Sequence, residues 1–229
     1  MKRLVPLTAA LAAAISLNAV VPLDSFTAPP GAGQSVIALG ATVVPAAGAP
    51  AGPGVAGVLG GHRIIALSHS SGGGLTSLSV NSDDFGTAGV LSYSSPTPWA
   101  GTASVIWSGD LDGTGSLALD MTGTPIVQFD VLSADNVGVD PTVTVWSGVS
   151  SFPVSIPTVS GGGPFTVDFD MSGAAFLNNV TKITLDMVSA GVGADVVIDE
   201  ARLVPEPHEY ALLAGLGLLG LAAYRRIKA

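Results

Sequence analysis

Apolar and hydroxyl-bearing residues alternate along the middle of this chain. In Thr142-Val143-Thr144-Val145-Trp146 the two kinds switch at every step, the period-2 signature of a strand with one buried face. Short runs of the same character, rich in Val, Ile and Thr, predict strands at 62–68, 75–80, 89–93, 102–107, 116–121, 126–132, 142–146, 153–156, 165–169, 182–188 and 194–203. Gly, Ser, Asp, Asn and Pro separate them, as turns require. Between the two chain ends no stretch holds helical periodicity. The pattern predicts an all-β domain over 62–203, an antiparallel β-sandwich of jelly-roll type.

The last of these strands needs an irregularity. Val196 and Ile198 point one way in a regular strand, and Ala201 and Leu203 the other. A bulge at Asp199-Glu200 brings all four to the core side. Two pairs of segments also look alike. Leu117-Ala-Leu-Asp-Met-Thr-Gly123 parallels Val167-Asp-Phe-Asp-Met-Ser-Gly173, and Phe129-Asp-Val-Leu-Ser-Ala134 parallels Leu185-Asp-Met-Val-Ser-Ala190. Corresponding elements of two packed sheets would give such a pseudo-repeat; chance likeness of simple β sequences is the competing explanation. Residues 20–61 are Gly/Pro/Ala-rich and poor in pattern, with 45–54 a low-complexity stretch. Strands at 35–39 and 42–44 are expected there as a first pair.

Both ends depart from this pattern. Met1-Lys2-Arg3 precedes an apolar run from Leu4 to Leu17. A positive start, a short apolar core and small residues before Val20 predict a signal peptide over 1–19, cut after Ala19. At the other end, Tyr210 to Tyr224 is 15 residues without charge, followed by Arg225-Arg226-Ile227-Lys228. As a helix it spans about 22 Å, short against a bilayer core of about 30 Å. Snorkelling by Arg225, Arg226 and Lys228 makes up the difference. The basic stop predicts that this end faces the cytoplasm, with the body on the far side.

The charge distribution supports that division. Between Val20 and Val204 lie 15 acidic residues and three basic ones, Arg63, Lys182 and Arg202, a net charge of −12. Such a surface repels nucleic acid and anionic lipid. The chain has no cysteine, which excludes disulfides, thiolate metal sites and a cysteine nucleophile.

Val204-Pro205-Glu206-Pro207 stands between body and helix. Pro205 and Pro207 fix φ and remove two backbone donors; Val204 and Glu206 precede proline and are pushed to extended geometry. The motif therefore stays out of helix and sheet, in the form a protease cleft accepts. Pro-Glu-Pro, a short apolar helix and an Arg-rich terminus, in that order over 204–229, resemble the PEP-CTERM sorting signal of Gram-negative bacteria. His208-Glu209 departs from the small hydroxyl residues more usual after the motif. The resemblance implies an exosortase, a membrane cysteine protease, as partner. It also implies an inner-membrane-anchored intermediate released to the cell surface or extracellular matrix. A looser likeness covers 57–203. Leu59-Gly-Gly-His-Arg63 and the last two strands, from Asn179 to Leu203, resemble carbohydrate-binding-module-like jelly rolls, which implies fold more than ligand.

Candidate chemistry in the body is sparse. Asp110-Leu-Asp112-Gly113-Thr114-Gly115 could wrap Ca²⁺ with further oxygens, Asp199 among them, but falls short of a full calcium loop and reads more simply as an Asp-Gly turn. No cofactor and no metal site is expected. Trp107 and Trp146 end alternating strands and read as core or rim; Trp99, after Pro98, is the candidate for stacking on a sugar ring. His62, His69 and His208 form no ligand spacing. Asp168 and Asp170 share a strand face and could serve glycoside hydrolysis, but acids guarding an edge strand are the simpler explanation. The reading is a non-catalytic exported envelope or matrix protein. The alternatives are a module binding exopolysaccharide and, behind it, a glycoside-active enzyme. An ice-binding surface would need a flat, regular Thr array, which the sequence lacks.

Overall fold

The computed structural model describes residues 20–26, 34–39, 44–46, 58–69, 75–80, 89–95, 100–110 and 113–205, with Gly215, 217–221 and Tyr224 beyond them. Thirteen strands follow in chain order: β1 (Val21–Asp24), β2 (Gln34–Leu39), β3 (Val44–Ala46), β4 (His62–His69), β5 (Leu75–Val80), β6 (Leu91–Ser94), β7 (Gly101–Ser108), β8 (Ile126–Ala134), β9 (Val139–Ser147), β10 (Ser150–Ser155), β11 (Phe165–Asp170), β12 (Lys182–Ser189) and β13 (Asp195–Val204). They form two antiparallel sheets. One runs β11-β8-β13-β6-β5-β2 with β1 added against β13; the other runs β10-β9-β12-β7-β4-β3. The molecule is an antiparallel β-sandwich, as the alternation predicts.

Period-2 burial makes the layers. In β7 the pattern puts Ala103, Val105 and Trp107 inward, each 0 % exposed, with Thr102, Ser104 and Ile106 on the other face. Trp107, Phe129 and Phe169 stack through the core, the last two edge to face with centroids 5.7 Å apart. Each large side chain buried this way contributes roughly 1.5–3 kcal/mol. An apolar gap of 20 Å³ remains between Phe129, Leu185, Met187 and Val196.

The expected bulge is present. Along the β13–β8 ladder the register shifts between Val197 and Ile198, and again between Ile198 and Glu200. Asp199 is left without a ladder partner there, and Val196, Ile198, Ala201 and Leu203 are all buried.

Two expectations are corrected, and one strand is added. The 116–121 segment is not a strand. Ala118 has φ 49°, and Leu119 makes only an isolated bridge to Val180. The chain there bonds irregularly to Leu177, Val180 and Thr181 instead. The 35–39 and 42–44 strands do not pair with each other: β2 pairs with β5 in one sheet and β3 with β4 in the other. And β1, which the sequence pattern does not announce, pairs the start of the body with its last strand.

Candidate sorting junction and outer faces

Arg63 organises the entry of the chain. Its guanidinium lies 2.7 and 2.8 Å from the two oxygens of Asp24 and 5.7 Å from the Phe26 ring centroid. Asp24 also accepts from Trp107 Nε1 at 2.8 Å and from the Phe26 backbone N–H at 2.8 Å. The two charged side chains are 3 % and 0 % exposed. A carboxylate so deeply buried requires this full set of donors. The cluster ties β1, in one sheet, to β4 and β7, in the other.

The junction between β13 and Pro205 lies beside it. Val21 pairs with Leu203 and Pro22 with Arg202 on one side of β13; Val204 pairs with Ile126 of β8 on the other. Val204 is half-buried and Pro205 is buried, so the motif starts directly on the folded body with no linker. Glu206, Pro207, Arg225, Arg226 and Lys228 lie outside the described residues, as do Trp99 and Asp112. Gly215, residues 217–221 and Tyr224 are helical. Leu218, Leu219 and Leu221 are 69 %, 68 % and 50 % exposed, and a Cβ added at Gly215, Gly217 or Gly220 would meet nothing within 4 Å. Leu218, Leu219 and Leu221 are thus exposed apolar side chains. Among the described residues no helix is long and apolar enough to cross a membrane.

The outer face of the second sheet carries rows of hydroxyls. Ser155, Thr142, Asp186 and Ser104 stand side by side across β10, β9, β12 and β7. Thr142 and Ser155 share a hydrogen bond of 2.8 Å, and the Ser104 hydroxyl donates to Asp186. In the next row Thr144 and Thr184 adjoin Ile106 and Ile64. Lys182 closes the face, its ammonium 4.3 Å above the Trp146 ring, whose Nε1 has no hydrogen-bond partner among the described residues.

The Asp-Gly segment folds over this same face. The Asp110 carboxylate accepts from the Thr114 N–H at 3.0 Å and the Thr114 hydroxyl at 3.1 Å. Gly113, at φ 77°, sits where a Cβ would lie 3.5 Å from Ile64. Asp110 thus closes a turn with its own oxygens. Asp199 lies on the other sheet, beside Asp130, Pro164 and Thr166 around an open hollow, and is not brought to Asp110. Among the described residues no three acidic or His side chains converge on a metal position.

The first sheet's outer face is a charge ladder. Arg202 meets Asp130 at 2.7 Å and Glu200 at 3.2 Å, and donates through Nε to Gln128; Gln128 in turn donates to Asp168 at 2.6 Å. Asp168 and Asp170 lie on β11, an edge strand.

Asp170 is also one of a matched pair. Asp120 accepts from the Thr122 hydroxyl and N–H, and Asp170 from the Ser172 N–H. The hydroxyl and amide donors of these residues hold both carboxyls below the usual carboxylate range. The following methionines, Met121 and Met171, are both fully buried. The two Asp-Met-(Thr/Ser)-Gly turns flank one open hollow of 330 Å³, lined by Thr122, Pro125, Ser172 and Leu177. The internal likeness in sequence is a likeness in structure at these turns; ahead of them the two segments differ, Phe165–Asp170 being β11 and 116–121 no strand.

No family model matches the chain, and no curated protein matches it. Among solved structures it is similar to the family 11 carbohydrate-binding module of a cellulosomal cellulase of Clostridium thermocellum (16 % identity, 82 % of this chain and 96 % of that one, TM-score 0.39). The same module in complex with a β-1,3-1,4-mixed-linked tetrasaccharide gives 17 %, 81 %, 95 % and 0.38. A cleaved adhesin domain of Lys-gingipain from Porphyromonas gingivalis gives 10 %, 82 %, 99 % and 0.34. Likeness at this level carries neither a fold nor a ligand from those proteins to this chain.

Proposed function

We propose that this is an exported, non-catalytic sandwich protein, held at the inner membrane by its C-terminal helix. An exosortase-type protease acting at Val204-Pro205-Glu206-Pro207 then releases it to the cell surface or extracellular matrix. The observation that carries this reading is the ordered tail. A rigid proline motif begins on the last residue of β13, and the helical residues beyond it leave their leucines uncovered. A helix belonging to the domain would bury them. Absence of catalysis is supported by the way the described acids are used: Asp110, Asp120 and Asp170 close turns, and Asp168 accepts from Gln128. The test is fractionation of cells making the full chain or a chain with Pro205, Glu206 and Pro207 all replaced by Ala. The native chain is expected in the surface or matrix fraction and the substituted chain in the inner membrane. Equal release of both contradicts the reading.

A second reading, binding of a neutral polysaccharide, is favoured by the outer face of the second sheet, where Thr142, Asp186, Ser104 and Ser155 offer paired donors and acceptors. Sugar hydroxyls exchange readily with such groups, and Trp146 supplies an apolar ring at the rim. A glycan array probed with the native chain and with Trp146→Ala and Trp99→Ala tests it; no retained glycan, or retention unchanged in both variants, opposes it.

A further inference from the structure

Strand β11 ends the first sheet with a row of open backbone groups. The Met171 N–H donates to the Pro125 carbonyl at 2.9 Å. In the β11–β8 ladder, where Asp170 faces Ile126, that bond fixes the parity. Phe165, Val167 and Phe169 turn their N–H and C=O groups toward β8. Thr166, Asp168 and Asp170 turn theirs outward, and all three residues are exposed. Among the described residues no strand pairs with that edge. β10 ends the second sheet along the same side of the sandwich, and there the edge is blunted. The Ile156 N–H donates to the Pro141 carbonyl at 3.4 Å, so Pro153 faces outward and sets a ring where a donor would stand. At the far ends of the sheets, β3 contains Pro45, and β2 lies against β3 and β4. β11 has six residues and no proline, and such an edge is a template for a further strand.

We infer that β11 is a docking edge for an extended cationic segment of another protein, one that alternates Lys or Arg with apolar residues and adds antiparallel. The register decides the chemistry. In an antiparallel pair the residue opposite Asp168 exchanges both backbone bonds with it and stands on the same face. Opposite charge is favoured at that place and like charge disfavoured, so Asp168 and Asp170 select a cation. The alternate side chains of the incoming strand turn inward. They meet Phe152, Val154, Phe165 and Val167, half-buried at the seam between β10 and β11. A second copy of the chain does not fit. Antiparallel registers of β11 on itself set its acids against acids or Thr166, never against a cation. The body's net charge of −12 draws a cationic partner toward the edge. This edge is separate from the sorting motif and from the hydroxyl-bearing face, so its failure would leave the function proposed above untouched.

The test uses the full chain in non-ionic detergent and end-blocked peptides of about eight residues, alternating lysine with valine or glutamate with valine. The lysine peptide is expected to bind, and the glutamate peptide not. On binding, the amides of Thr166, Asp168 and Asp170 should gain protection from hydrogen exchange. N-methylation of the lysine amides removes the donors that face β11 and should weaken binding at least about fivefold, the equivalent of one backbone hydrogen bond. N-methylation of the valine amides, which face away, should leave it unchanged. Thr166→Pro closes the edge while keeping both acids, and a loss of about fivefold or more is expected. Asp168→Lys should weaken the lysine peptide by roughly threefold or more and strengthen the glutamate peptide. Urea unfolding reports whether each variant is folded, and Asp168→Lys keeps the test decisive should Thr166→Pro not fold. Absence of binding overturns the inference. So does binding that ignores Thr166→Pro and lysine N-methylation, which is charge attraction alone, or a loss confined to the valine-methylated peptide. Protection of the same three amides with rising protein concentration and no peptide overturns it in favour of self-pairing.

Discussion

Two arginines hold carboxylates in this sandwich at opposite extremes of burial. Arg63 and Asp24 are 3 % and 0 % exposed, with Trp107 and a backbone N–H completing the shell. Arg202 and Asp130 are 24 % and 27 % exposed, with Glu200 and Gln128 around them. The contacts are equally short. What differs is the solvent each charge gave up, and so what remains when a partner is removed. At the surface, water replaces the lost partner. In the core nothing does, and the survivor is a bare charge. The inner pair therefore fixes β1 against the second sheet, while the outer one only decorates a sheet.

The sharpest way to break the comparison is Asp24→Ala. It strands the Arg63 guanidinium and the Trp107 N–H, and should cost about 3–5 kcal/mol in urea unfolding. Because Asp24 lies on β1, amide exchange should rise most in β1 and in the 200–204 half of β13. Trp107→Phe keeps the ring and removes one donor, and is expected to cost about 1–3 kcal/mol. Arg202→Ala should change stability by at most about 1 kcal/mol, an effect that shrinks further in high salt. A loss from Arg202→Ala as large as that from Asp24→Ala would show that burial is not what separates the pairs.

The smallest effects come from pH. Folded-state values for Asp120 and Asp170 are depressed by their Thr122 and Ser172 donors. Their stabilisation is thus fully present above the unfolded carboxylate value, about 3.9. It is lost as pH falls from there through the folded values. Asp170→Asn should flatten part of that acid limb. Burial, ahead of its other influences, pushes the Tyr93 hydroxyl up from its ordinary value of 10.0. Its contribution is complete below the unfolded value and declines as pH rises through the folded one. Tyr93→Phe should reduce that alkaline loss, read as a shift in the high-pH unfolding midpoint.

Much of this was legible in the chain. The bulge follows from parity alone, because Val196 and Ile198 can share a face with Ala201 and Leu203 only if the strand gains a residue. The matched Asp-Met turns follow from simple identity of segments. β1 was not legible, because its central feature is a buried Asp24, and pattern rules place an acid at the surface. One signal pointed to it: Arg63, one of three cations in an acidic body, stands directly before Ile64 and Ile65 and so needs a buried partner. The 116–121 segment misled for the opposite reason. Leu117, Leu119 and Met121 alternate like a strand, but the turn that Asp120 caps, and the bonds to the chain before β12, take the backbone out of any ladder.

The chain as exported is the direct witness to the central claim. Intact mass of the protein recovered from the surface or matrix should correspond to a species beginning at Val20 and ending within Pro205 to Pro207. A recovered mass equal to the whole of Met1 to Ala229 would contradict it.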